Sequence, residues 1–131
     1  MTLQFWLGFL AYLVPLFPLA FIWHLRLFKT AYDRLDIFRE SVIVPFGLLS
    51  MAMQAAFFSW VFPQLFNSPN WVWNGFQFAV IFGLLGWSVM VLPVAAKSKS
   101  ASVRGFMLLE TCFIALQFLV TGLLIALVYS S

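Results

Sequence analysis

Glu110, Ile114, Gln117 and Thr121 are spaced 4, 3 and 4 apart, so on a helix they share one face. A carboxyl, an amide and a hydroxyl in one row can bind a proton or hold a small polar solute. Gly47, Ser50, Gln54 and Phe58 share a face of a second apolar stretch. Gln54 and Gln117 each fall near the middle of their stretch, at one depth, where two amides can hydrogen-bond to each other. The candidate ion-pair partners of Glu110 are His24, the only histidine, and Arg39, Lys97 and Arg104. An imidazole titrating near pH 6.5 would suit a proton carrier beside that carboxyl. The competing reading is structural: these groups join helices to one another, with bonds of about 0.6 kcal/mol each on average.

The elements that position these residues are four apolar stretches, at 3–23, 42–66, 75–96 and 105–129. Each reaches the ~20 residues that cross a ~30 Å hydrocarbon core at ~1.5 Å per residue. Hydrophobic residues make up 64% of the chain and charged residues 8%. A soluble domain has about 45–50% and ~25%, which leaves too little polar chain here to cover four apolar helices. The expected fold is all-α, one domain over 1–131, an integral membrane bundle of four transmembrane helices. Glu110 then lies roughly 9 Å inward of Arg104 at helical rise. A bare carboxylate there costs several kcal/mol, so it must be paired, protonated or facing water.

All seven Lys and Arg fall in or beside the first and third connections. The positive-inside rule puts those connections in the cytoplasm. Both termini and a loop at 67–74 then face outward from a plasma (inner) membrane. The net charge of +3 belongs to this membrane surface and to anionic lipid, not to nucleic acid. The first stretch has no basic residue before it and exceeds a ~7–15-residue signal h-region, so it reads as a retained span.

Between the first two spans, Leu25, Phe28, Tyr32 and Leu35 form one face, and Arg26, Lys29, Asp33, Asp36 and Glu40 another. This predicts an amphipathic connector over 25–40. Pro15 and Pro18 predict a kink in the first span, Pro45 a first-turn proline, and Pro63 the end of the second span. Trp87, towards the middle of the third span, needs an internal partner for its indole N–H. Gly75, Ala79 and Gly83 recur every four residues and predict close approach of another helix.

No catalytic set is evident, and no cofactor or metal site is expected. Cys112 is the only cysteine, which excludes a disulfide, a CxxC pair and a multi-cysteine metal site within the chain. One histidine excludes paired haem ligation and a three-histidine metal site.

Several strings resemble a group of small bacterial four-helix integral membrane proteins of unknown function. They are Trp23-His24-Leu25; Pro45-Phe46-Gly47 with Ser50-Met51 and Gln54; Ala95-Ala96-Lys97; and Glu110-Thr111 with Gln117. The resemblance implies bacterial origin and four spans, and carries no activity with it. The function expected is a non-enzymatic accessory or lipid- or ligand-associating membrane subunit. The alternative is an oligomeric small-solute or proton-coupled transporter or channel using a polar seam around Glu110, Gln54 and Gln117. The bilayer is the expected partner, with a homo-oligomer or a larger membrane complex both open.

Overall fold

The computed structural model describes residues 2–35, 44–97 and 102–130. These are α1 (Leu3–Ile22), a π-helical turn (Trp23–Leu27), α2 (Lys29–Leu35), α3 (Val44–Leu65), α4 (Trp71–Met90), α5 (Leu92–Lys97) and α6 (Val103–Tyr129). There is no strand among the described residues. Four helical stretches, Leu3–Leu27, Val44–Leu65, Trp71–Lys97 and Val103–Tyr129, are long and apolar enough to cross a membrane. The protein is an all-α bundle of four such helices.

Helix ends follow from polar side chains that satisfy the free backbone donors of a first turn. Thr2 caps α1, Asn70 caps α4 and Ser102 caps α6. The expected loop at 67–74 is shorter than its composition suggested. Trp71–Asn74 belong to α4, because Asn70 Oδ1 accepts the N–H groups of Val72 and Trp73. Asn74 then folds back on the turn, donating to Ser68 O at 2.8 Å and accepting from Ser68 N–H at 3.0 Å.

Pro63 does not end α3, which continues to Leu65. The carbonyl that Pro63 cannot serve is that of Ser59, and the Tyr129 hydroxyl donates to it instead, at 2.7 Å. The third span, expected as one helix, is interrupted at Val91, two residues before Pro93. Pro45 occupies the first turn of α3.

α6 is the spine. It buries nine side chains or glycines, against four in each of α1, α3 and α4. α1 packs on α6 and on α3, and α4 packs on α6. The ring is closed between α3 and α4 by phenylalanines rather than by close backbones. Phe58 meets Phe78 and Phe82 at 5.1 Å, and Phe62 meets Phe78 at 5.6 Å, mostly in edge-on or tilted geometry. α4 and α6 instead touch backbone to backbone. A Cβ on Gly75 would stand 3.0 Å from Leu123 Cα, and one on Gly122 would stand 2.9 Å from Gly75 O. Gly83 has room for a Cβ, so close approach is set at Gly75 and not along the whole small-residue row.

Below, the end of the bundle holding Thr2, the 66–70 turn and Tyr129 is the terminal end. The end holding Arg26, Lys29, Lys97 and Arg104 is the basic end.

Gly75→Leu must force α4 off α6 and is expected to cost about 1–3 kcal/mol. A matched Gly47→Leu, at a position with no atom within 4 Å of its Cβ site, should leave stability unchanged or higher. Thermal melts of the two variants in mild detergent check this.

Candidate functional site: a side cleft between two polar clusters

Midway along the bundle, α1, α3 and α6 meet at hydrogen bonds. The Tyr12 hydroxyl donates to Gln54 Oε1 at 2.5 Å and accepts from Gln117 Nε2 at 2.8 Å. The two amides also face each other directly at 3.4 Å. Gln54 Nε2 donates onward to Ser50 Oγ at 2.9 Å. Thr121 turns its hydroxyl to its own helix, donating to Gln117 O at 2.7 Å. A phenol between two amides donates to one and accepts from the other without any charge, which suits hydrocarbon depth. Ser50 keeps its own hydroxyl hydrogen, Gln54 one N–H and Gln117 its Oε1 without a partner among the described residues.

Towards the basic end, the π turn shapes a second cluster. Its wider ring is closed by Phe28 N–H bonding to Trp23 O at 3.1 Å, and it brings Trp23 and His24 together over α6 and α2. His24 Nδ1 lies 3.0 Å from Ala20 O and Nε2 lies 3.1 Å from Glu110 Oε1. A carbonyl only accepts, so Nδ1 carries a hydrogen. The Nε2–Oε1 contact then needs one further proton, on the imidazole or on the carboxyl, and the pair is neutral overall in either form.

Tyr32 completes this cluster. Its hydroxyl accepts from Trp23 Nε1 at 3.1 Å and donates to Glu110 Oε1 at 2.5 Å. Burial, reinforced by the bond to Glu110 and by its charge, pushes the Tyr32 phenol above the usual tyrosine range. His24 and Glu110 are each about one-fifth exposed, at 19% and 18%, so their shared proton is not sealed away.

The two clusters border a cleft of about 330 Å³ between α1 and α3, backed by Phe113 and Gln117 of α6. α1 and α3 are bonded to each other on its terminal side. Near the terminal end α1 and α3 interlock: Ser59 Oγ donates to Phe5 O at 2.7 Å, and a Cβ at Gly8 would collide with Ser59 Oγ. Beyond the amide cluster the helices part. Every residue of α3 from Val44 to Ser50 is exposed. His24 stands at the basic end of this cleft, Ser50, Gln54 and Gln117 near its inner end, and apolar side chains line the rest. Arg26 lies over the ring of Phe21, a lining residue, at 5.7 Å from its centroid.

The expected seam is thus two clusters rather than one. Gln54, Gln117 and Ser50 come together, and Thr121 lies beside them. Glu110, two turns away on the same face of α6, bonds into the His24 cluster instead, with Phe113 edge-on to His24 at 4.5 Å. Of the four candidate partners, His24 pairs with Glu110. Lys97 and Arg104 make no ion pair among the described residues, and Arg39 lies outside them. Of the connector, Tyr32 and Leu35 are buried and Lys29 bonds to Asp33 at 2.8 Å, while 36–40 lie outside the described residues. Ala79 and Gly83 line a shallow groove between α4 and α6, where Trp87 Nε1 donates to Thr111 Oγ1 at 2.8 Å.

Tyr12, Trp23 and Tyr32 were not among the sequence candidates. A phenol nine residues into a span carried the same signal as Trp87, a polar hydrogen in hydrocarbon that requires a partner. Comparison with protein-family models, with curated proteins and with solved structures finds no match.

Tyr32→Phe removes the link between Trp23 and Glu110 and is expected to cost about 1.5–3 kcal/mol at neutral pH. The raised phenol also has a pH signature. The folded protein keeps a proton that the unfolded chain releases above about pH 10, so this stabilisation is present below that pH and declines above it. Melts from pH 8 to 11 should show a smaller alkaline loss in Tyr32→Phe than in the wild type.

Proposed function

We propose that this protein is a non-enzymatic membrane subunit that binds a lipid-soluble ligand in the cleft between α1 and α3. The observation that carries this reading is the exposed stretch of α3 from Val44 to Ser50, which has no helix packed over it among the described residues and stands over an apolar cleft with hydrogen-bonding groups near its inner end. The cleft volume of about 330 Å³ lies within the ~300–1,000 Å³ of small-molecule sites.

The protein sits in the plasma membrane with its basic end in the cytoplasm and both termini outside, as the one-sided basic residues favour. The cleft then opens sideways into the cytoplasmic leaflet. From Val44 to Gln54 it runs ~15 Å at helical rise, about half of a ~30 Å hydrocarbon core. A ligand enters from lipid without crossing water. The bilayer supplies the ligand, and a homo-oligomer or larger membrane complex is the setting in which a bound ligand acts.

Gly47→Trp fills the cleft from a position that tolerates added atoms. Native mass spectra from gentle detergent should show a small molecule on the wild type and on Leu7→Trp, and none on Gly47→Trp. Identical spectra for all three, or a bare wild-type protein, would reject the reading.

A second reading, an oligomeric proton-coupled transporter, draws on the single proton shared by His24 and Glu110. It expects proton flux in proteoliposomes that Glu110→Gln abolishes. Flux unchanged by that substitution ends it.

A further inference from the structure

We infer that the cleft's ligand is a quinone, held with its ring against the Ser50–Gln54–Gln117 cluster and its isoprenoid tail leaving sideways into the bilayer. This assignment rests on the cleft-binding reading above. Depth is the first argument. No charged side chain lies with the amide cluster among the described residues, and a formal charge at that depth costs several kcal/mol without a partner. A charged phospholipid head therefore stays at the basic end near Arg26. Only its acyl chain reaches the amides, and a methyl end satisfies none of them. The group that reaches them is neutral and polar.

The pattern of free hydrogen-bonding capacity narrows the class. Ser50 offers a hydroxyl hydrogen and Gln54 one N–H, while Gln117 offers an acceptor oxygen. A quinone carbonyl accepts from the first two, and the hydroxyl of the corresponding quinol donates to the third. One site thus recognises both forms of a single molecule.

The walls suit a flat ring. Met51 and Met90, with polarizable thioethers, and the aromatic Phe113 line the same cleft. The cleft is sized for a ring and the start of a chain, and its open side leaves the remainder of the tail in lipid.

The test is titration of the purified full-length protein in detergent with a decyl-chain benzoquinone, read by quenching of intrinsic tryptophan fluorescence. The expected result is saturable quenching that weakens roughly three- to ten-fold in Ser50→Ala, the loss of one neutral hydrogen bond. Ser50→Thr should restore affinity, and Gly47→Trp should abolish saturation. Saturable binding indifferent to Ser50→Ala overturns placement of the ring at the amide cluster. No saturable quinone binding, with a co-purified lipid still lost in Gly47→Trp, overturns the quinone and leaves the cleft reading standing. No occupant sensitive to Gly47→Trp overturns both.

Discussion

The junction of Tyr12, Gln54 and Gln117 decides the shape of this bundle. Three uncharged polar groups on three helices cannot be left unpaired in hydrocarbon, so α1, α3 and α6 must cross at that depth. On the terminal side of the junction, small residues let the helices close: Gly8 accepts Ser59, and Tyr129 serves the carbonyl that Pro63 leaves free. On the basic side no hydrogen bond joins α3 to α1 among the described residues. The junction is therefore both a tie between those helices and the point beyond which they part.

The rest of the bundle allows this asymmetry. α6 contributes Gln117 to the junction, Glu110 to the basic cluster and Gly122 to the tight seam with α4. The phenylalanines between α3 and α4 fill space without specifying a single close distance, because edge-on and tilted rings tolerate a range of separations. α1, α4 and α6 thus form a tight unit, and α3 is attached to it chiefly over its terminal half.

Much of this was legible in the sequence, and for physical reasons. Four apolar stretches of sufficient length permit little besides a helical membrane bundle. Glu110, Gln54 and Gln117 stand out because polar groups at that depth demand an answer. What the residues alone could not convey was who answers. Glu110 had four basic candidates at one end of the bundle, and the choice of His24 depends on a π turn that no periodicity announces. Tyr12 was concealed by its apolar ring, although its hydroxyl is the centre of the junction. The cleft was invisible for a different reason. Its walls come from residues far apart in the chain, such as Ala20, Gly47, Met90 and Phe113, which no local pattern brings together.

The turn joining α3 to α4 bears on that cleft from a distance. Asn74 holds Ser68 through both its amide oxygen and its amide nitrogen, and Ser59 is bonded to both α1 and α6. The 22 residues of α3 extend ~33 Å, so a ~10° difference in its direction at these ties corresponds to roughly 6 Å at the far end. None of these residues lines the cleft. Its width therefore answers to substitutions at positions that no occupant would touch.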